Sequence, residues 1–159
     1  MDPRDFCDVA RRLLCGSPEE ACCRTAVGRA YYAAYNTAAN LLRELIGDAD
    51  PPKVSGRWIM SFHKYVSGCL KNSGDNALRQ AGEKLSNLHE VRVEADYRLN
   101  GRRPTEWRKK NVEAHIEEAE RIMSALGEIR PMTPGFSDII SAICRWRQEA
   151  MRDSKGRHR

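Results

Sequence analysis

The sequence predicts an all-α fold, an up-and-down bundle of four to five helices followed by an extra C-terminal helix. Apolar residues recur three, four and seven positions apart over most of the chain, as they do on one face of an α-helix. Glycine, proline and capping residues separate these periodic segments, and no segment shows the two-residue alternation of a half-buried strand. With 159 residues, the chain is long enough to bury one core without disulfide bonds.

Two helices are predicted in the N-terminal third. Residues 3–15 carry apolar side chains at helical spacing and are followed by a glycine, so they predict a short first helix. Ser17, Pro18 and Glu20 match a capping box with proline at the first helical position. A long second helix should follow and end near Ile46, with many small residues on its apolar face that allow another helix to approach closely.

The three tyrosines of this second helix, Tyr31, Tyr32 and Tyr35, have two interpretations. They are large apolar rings on a helix with a broad apolar face, so we expect them chiefly to fill core. Stacking on a nucleic-acid base is the alternative, because every base presents a flat face to an aromatic ring.

The middle of the chain predicts three more helices. A proline-containing loop over residues 47–56 precedes a shorter helix over 58–70, and Asp75 is placed to cap the next helix. Thr105 is the expected cap of a last long helix, which runs to about Leu126 with apolar residues at alternating steps of four and three. Such spacing is typical of a bundle seam.

A linker and a final helix close the chain. Pro131, Pro134 and Gly135 mark the linker, and Ser137 is the expected cap of the C-terminal helix. We therefore predict a helical bundle over residues 1–128, and a linker, C-terminal helix and basic tail over 129–159.

The net charge of +5 is distributed unevenly. Residues 98–110 carry six cations against one anion, and residues 145–159 carry six against two, so the rest of the chain is mildly acidic. A polyanion partner is one interpretation, and a solvated loop with a frayed tail is the other. The candidate nucleic-acid-binding residues are Arg98, Arg102, Arg103, Arg108, Lys109 and Lys110.

Several function classes are disfavoured by composition. No run of about 18 apolar residues could span a bilayer, and the start, MDPRDFCDVARR, lacks the apolar core of a secretion signal. The six cysteines show no CxxC spacing and fit reduced thiols better than a zinc site. We expect a cytoplasmic protein with no membrane, metal or cofactor partner.

One stretch, LSNLHEVRVEADYR at residues 85–98, places charges on an apolar helical stripe. Arg92 lies seven residues after Leu85, in the middle of that stripe, and Asp96 lies one turn further on. An intrahelical ion pair, worth about 0.3 kcal/mol, is one interpretation. The other is a functional pair at a cleft or an interface, because charges on a core stripe usually have a partner or a task.

Two motifs together resemble a known family. The run RAYYAA, Arg29 to Ala34, is followed some 60 residues later by Arg92 and by the Ala95–Tyr97 triplet ADY. This combination resembles the HEPN family (higher eukaryotes and prokaryotes nucleotide-binding domain), and most of all its small stand-alone prokaryotic branch. The resemblance covers about residues 1–128.

The resemblance implies a bundle of four or five helices that forms a homodimer, with the motif helices facing each other across a two-fold axis. The expected interface residues on the two helices are Arg29, Tyr32, Asn36, Leu85, Leu88 and Ala95. It also implies one of two functions. Many members are metal-independent ribonucleases of toxin–antitoxin and antiviral defence systems, and others are inactive partners of a small nucleotidyltransferase.

The family's ribonuclease motif is an arginine, four to six residues and a histidine. Arg92 stands at the arginine position, but Tyr97, Arg98 and Leu99 stand where the histidine would follow, so the motif is incomplete. The candidate catalytic residues are therefore Arg92, Asp96 and Tyr97, with Arg92 stabilising charge on phosphate. Two functions stay open: an RNA- or nucleotide-binding protein with or without endoribonuclease activity, and a non-catalytic helical partner of a nucleotidyltransferase or another effector.

Overall fold

The computed structural model describes residues 1–98 and 107–156, which form six α-helices and one short hairpin. The helices are α1 (Arg4–Leu13), α2 (Glu20–Ile46), α3 (Phe62–Lys71), α4 (Asn76–Tyr97), α5 (Lys109–Gly127) and α6 (Phe136–Gly156). The hairpin consists of antiparallel β1 (Lys53–Val54) and β2 (Arg57–Trp58). The predicted all-α class is confirmed, while the up-and-down bundle stays a prediction.

The long second helix ends at Ile46 as expected, but its predicted start is wrong. It begins at Glu20, and Ser17 lies three residues before it. Gly16 lies three residues after the end of α1 and has a left-handed φ of +72°, so the chain turns there before α2 begins. The capping-box pattern is therefore present in the sequence without forming the cap.

The helix predicted over residues 58–70 begins later, at Phe62, with the side chain of Ser61 as its cap. Trp58 instead pairs with Lys53 in the hairpin. Ser55 and Gly56, with φ of 50° and 77°, supply the tight turn that the strands need. Both strands are two residues long, which is too short to show an alternating pattern in the sequence.

The cap predicted for α4 is confirmed, because Asp75 Oδ1 accepts a hydrogen bond of 2.8 Å from the backbone N–H three residues on. Thr105 lies outside the described residues, and α5 begins at Lys109. The last prediction of a cap is wrong: α6 begins at Phe136, so Ser137 lies inside the first turn. Gly135 ends the preceding turn and its carbonyl accepts the first helical hydrogen bonds.

The chain forms two compact units, and α2 and α4 contribute residues to both. The first unit consists of residues 1–37 and 84–124. The predicted apolar seam of α5 is buried in this unit. Among the buried apolar side chains of this unit are Val27, Tyr31, Leu85, Leu88, Val112, Ile116, Ile122 and Met123.

Ion pairs join the helices of this first unit at its surface. The Nε and Nη2 groups of Arg11 donate hydrogen bonds of 2.7–3.0 Å to the carboxylate of Glu120. Glu118 lies 2.9 Å from Lys84 and 2.7 Å from Arg121. Burial acts to raise the pKa of Glu118, but the hydrogen bonds from these two cations outweigh it, so its pKa lies below the ordinary 4.5.

The second unit consists of residues 38–83 and the described residues from 125 onward. On α6, Trp146 packs against Tyr65, with ring centroids 6.0 Å apart, and Arg147 forms an ion pair of 2.9 Å with Asp48. A side chain on Gly68 would meet the indole, because an added Cβ would lie 2.5 Å from Trp146 Cη2. The glycine is therefore what allows Trp146 to lie flat on α3. The predicted boundary after residue 128 stays a prediction.

Candidate functional site

Arg92 lies at the centre of the candidate site, on the last turns of α4. Its side chain is only 13% exposed, and its Nε lies 2.7 Å from Asp96 Oδ2. Its Nη2 donates a hydrogen bond of 3.1 Å to Tyr32 Oη on α2. The guanidinium carbon lies 5.4 Å from the Tyr32 ring centroid and 5.6 Å from that of Tyr97, within cation–π range. The structure thus brings all three predicted catalytic residues together.

Helical spacing and one glycine explain how this arrangement arises. Arg92 and Asp96 are four residues apart, so they lie one turn apart on the same face of α4. On α2, Gly28 is the residue beside Asp96, and an added Cβ would lie 3.9 Å from Oδ1. Tyr32 is one turn after Gly28, which places its hydroxyl opposite Arg92. The pair therefore faces a tyrosine across two packed helices.

Arg92 and Asp96 form an ion pair rather than a well-aligned hydrogen bond. The Nε of Arg92 is buried and, among the described residues, makes no aligned hydrogen bond, although Asp96 lies within ion-pair distance. A guanidinium has five N–H donors, and Tyr32 accepts from one of them. The carboxylate of Asp96 therefore balances the charge of Arg92 without forming an aligned hydrogen bond to its Nε.

The tyrosines of α2 divide between core and surface. Tyr31 is 1% exposed, as the core interpretation predicts, whereas Tyr32 and Tyr35 are half-buried. Burial raises the pKa of Tyr31, with the neighbouring tyrosines adding to the shift, so its hydroxyl stays neutral. Its ring lies 5.5 Å from that of Tyr32 in an edge-on arrangement and 5.9 Å from that of Tyr35. The tyrosines form one continuous aromatic cluster beside Arg92.

His89 joins this cluster, and the sequence interpretation missed it. Its ring lies 5.3 Å from that of Tyr31, and it is half-buried on α4. It precedes Arg92 by three residues, whereas the histidine of the family motif follows the arginine. Because residues three apart share a helical face, the sequence did contain the signal: His89, Arg92 and Asp96 lie on one stripe.

Arg24 fixes the end of α4 that carries this site, and its role was also missed. Only 8% exposed, it stacks over Trp107 with its guanidinium carbon 4.4 Å from the ring centroid. Its Nη1 donates to the backbone carbonyls of Glu94 at 3.2 Å and Ala95 at 3.1 Å, and its Nε bonds Glu20 at 2.7 Å. The carbonyls at the end of a helix have no partner within it, so a buried cation there stabilises the terminus.

Tyr97 ends α4 and differs from the other tyrosines in its exposure. Its side chain is among the exposed large hydrophobic groups, with 71% of its surface accessible. One face of the ring lies toward Arg92 at 5.6 Å. An exposed ring next to a fixed guanidinium can stack on a planar ligand group while the cation pairs with an anionic one.

The described part of the predicted basic patch lies on the surface. Arg98, Arg108, Lys109 and Lys110 are all exposed. Arg98 pairs with Glu94 at 3.0 Å, and Lys109 Nζ donates to the Gly16 carbonyl at 3.4 Å. Arg102 and Arg103 lie outside the described residues. Surface position is a requirement for contacts with phosphate, so this patch stays a candidate.

The predicted dimer interface divides into core and surface residues. Leu85, Leu88 and Ala95 are 1–2% exposed and pack inside the single chain, so they are not available to contact a second copy. This apolar face of α4 therefore packs in the core of the chain, whereas it was expected to contact a second copy. Arg29 is exposed, and the half-buried Tyr32 and Asn36 also reach the surface. The homodimer itself stays a prediction, and these polar residues are what it would use.

No protein-family model, curated protein or solved structure matches this chain. Within residues 1–98 and 107–156, no three histidine, cysteine, aspartate or glutamate side chains form a group that could hold a metal ion. In the same residues, no helix is both long and apolar enough to cross a membrane.

Proposed function

We propose that this chain is a HEPN-like protein that binds RNA or a nucleotide through Arg92, Tyr97 and Tyr32. The observation that carries the proposal is the position of Arg92, which is mostly buried and lies within cation–π distance of two tyrosine rings, one of them exposed. A positioned guanidinium is well suited to phosphate, and an aromatic ring stacks on a base. Both groups of a nucleotide would then be recognised at one end of α4.

Asp96 has a positioning role in this proposal. Burying a guanidinium costs several kcal/mol unless a counter-charge lies nearby, and Asp96 at 2.7 Å supplies it. The carboxylate is 33% exposed, so it lies at the rim of the site and Arg92 lies deeper. A phosphate would approach the remaining donors of Arg92, while Asp96 holds the guanidinium in place.

The resemblance to the HEPN family adds a biological context to the proposal. The RAYYAA run supplies Tyr32 and the second motif supplies Arg92, and these two residues are hydrogen-bonded. A role in a toxin–antitoxin or antiviral defence system, as a homodimer, belongs to the same proposal. The non-catalytic alternative, a helical partner of a nucleotidyltransferase or another effector, predicts no affinity for RNA.

Endoribonuclease activity is a second candidate, favoured by the position of His89. It lies one turn before Arg92 on the same face of α4, beside the aromatic cluster. The imidazole would accept the proton of a ribose 2′-OH, and the 2′ oxygen would attack the adjacent phosphorus. The bond to the 5′ oxygen would break, and that oxygen would take a proton from water. Arg92 would stabilise the charge that develops on phosphate.

Binding is tested by fluorescence anisotropy with a labelled single-stranded RNA. We expect Arg92→Ala to weaken binding by about tenfold to a hundredfold, because hydrogen bonds to charged groups are worth about 1.5–3 kcal/mol. Tyr97→Ala should weaken it by about tenfold through lost stacking. Arg12→Ala is the matched control, an exposed arginine on α1 that should leave the affinity nearly unchanged.

Circular dichroism spectra must show that each variant keeps its helical content. Wild-type affinity in both Arg92→Ala and Tyr97→Ala would refute the proposed site. If the wild-type protein binds neither RNA nor nucleotides, the non-catalytic partner becomes the better interpretation.

Cleavage is tested separately, by incubating the same RNA with excess protein and separating the products on a denaturing gel. The second candidate predicts products that end in a 2′,3′-cyclic phosphate and begin with a 5′-OH. His89→Ala should abolish cleavage while RNA affinity stays within about threefold of wild type, since a general base contributes to the reaction more than to binding. Equal cleavage by His89→Ala and wild type would exclude His89 as the base.

A further inference from the structure

A cleft lies within the second unit. It has a volume of about 450 Å³ and runs between α6 and the segment that follows the hairpin. Ile59 and Met60 line it from the segment after the hairpin, and Trp146, Glu149 and Asp153 line it from α6. This volume is in the range of small-molecule sites, which is about 300–1,000 Å³.

The aromatic surface of the cleft is held in a fixed orientation. Trp146 packs on Gly68, where even a methyl group would collide with the ring, and it also contacts Tyr65. The ring is only half-buried, so part of it faces the cleft. A ligand that uses the indole would therefore not have to order it first.

The acidic wall has no structural explanation in the described residues. Glu149 and Asp153 lie one turn apart on α6, and like charges at this spacing destabilise a helix. Neither has an ion pair with another described residue, although Arg147, two positions before Glu149, pairs with Asp48. Both side chains are exposed, so the cleft combines two solvent-accessible carboxylates without a counter-charge among the described residues, an indole and an apolar wall.

We propose that this cleft binds a small organic dication with an aliphatic stem, such as a linear diamine. Trp is the aromatic side chain that attracts cations best, and the two carboxylates would each pair with one ammonium group. Side chains four residues apart on a helix have Cβ atoms about 5–6 Å apart, which is close to the span of a four-carbon diamine. Ile59 and Met60 would cover the methylene groups.

The test follows the indole N–H signals of ¹⁵N-labelled protein by NMR during titration with butane-1,4-diamine. Each of the three tryptophans gives one signal, so Trp107 serves as an internal control and Trp146→Phe assigns the signal of Trp146. We expect the Trp146 signal to shift and saturate, while the Trp107 signal stays in place. Butylamine, with one charge, should bind about two- to fivefold more weakly, because it pairs with only one exposed carboxylate.

Two double variants separate specific binding in the cleft from general attraction to surface carboxylates. Glu149→Gln with Asp153→Asn should weaken diamine binding by about tenfold or more. Glu44→Gln with Glu90→Gln removes the same charge from exposed positions outside the cleft and should leave binding within about twofold. Both variants should keep the wild-type circular dichroism spectrum.

Three results would each overturn the proposal. They are no saturable Trp146 shift at millimolar diamine, equal affinity for diamine and butylamine, and equal loss in the two double variants. The assay contains no RNA, so its outcome is independent of the function proposed for Arg92. Gly68→Ala, which must displace the indole, should also weaken binding although it changes no charge.

Discussion

Removing the side chain of Arg24 should destabilise the end of α4 more than removal of any exposed arginine. The guanidinium is 8% exposed and donates from Nη1 to two carbonyls of the last turns of α4, at 3.2 and 3.1 Å. It also stacks on Trp107 at 4.4 Å. In Arg24→Ala, these carbonyls lose a charged donor and the indole loses its cation.

The expected magnitude follows from these contacts. Hydrogen bonds to a charged group contribute about 1.5–3 kcal/mol, and the two carbonyls share one nitrogen, so we count one such contribution. A desolvated cation–π contact adds about 1–2 kcal/mol. The ion pair with Glu20 adds a few tenths, because that carboxylate is 54% exposed. The free energy of unfolding should therefore fall by about 3–5 kcal/mol, which lowers Tm by roughly 6–20 °C for a chain of this size.

Thermal unfolding followed by circular dichroism at 222 nm measures this effect. Arg29→Ala is the matched control, since Arg29 lies five residues further along α2 and is exposed. A change within about 0.5 kcal/mol is expected there. If Arg24→Ala and Arg29→Ala unfold at the same temperature, the contacts of Arg24 contribute little and the explanation of a fixed α4 terminus is wrong.

Three further predictions concern the first unit. Because the pKa of Glu118 is lowered in the folded state, its contribution to stability is present above pH 4.5 and is lost as pH falls through the folded-state pKa. Glu118→Gln should therefore lower the free energy of unfolding by up to about 1 kcal/mol at pH 7. Urea titrations should also show a smaller loss of stability at acid pH in this variant. Burial, together with the charge of Glu120, raises the pKa of Cys7 to about 11, so mass spectrometry should find iodoacetamide on exposed Cys15 well before Cys7 at pH 8. Arg92→Met should lower the free energy of unfolding by no more than about 1 kcal/mol, because water can solvate the exposed Asp96, while RNA affinity falls; a larger loss of stability in urea titrations would contradict this.

Long, strongly periodic elements were predictable from the sequence. The α5 seam consists of Val112, Ile116, Ala119 and Met123. These residues are buried because they form one apolar stripe, and an apolar stripe is the side of a helix that packs against the core. Starts of helices were less predictable, since Ser17 and Ser137 have the residue type of a cap but the neighbouring glycines turn the chain at other positions. A hairpin with two-residue strands gives no periodic signal at all.

The candidate site was predictable in part for the same reason. The spacing of Arg92 and Asp96 depends only on the geometry of one helix, and the ion pair forms as expected. The hydrogen bond from Arg92 to Tyr32 joins residues 60 positions apart, so it depends on how α2 and α4 pack. His89 was missed for a different reason, since its spacing was visible but lies on the opposite side of Arg92 from the family's histidine.

The burial of Arg92 distinguishes between the two interpretations of the ion pair. An intrahelical pair of this kind contributes about 0.3 kcal/mol and is normally found where both side chains are solvated. Here the guanidinium is only 13% exposed, and taking it out of water costs several kcal/mol, which that pair alone does not offset. Apolar residues precede Arg92 on the same stripe, and Leu85 shows that an apolar side chain packs well there. The burial therefore favours a role of Arg92 in binding over a role in the stability of the helix. We accordingly expect Arg92→Met to reduce RNA affinity while the protein stays folded.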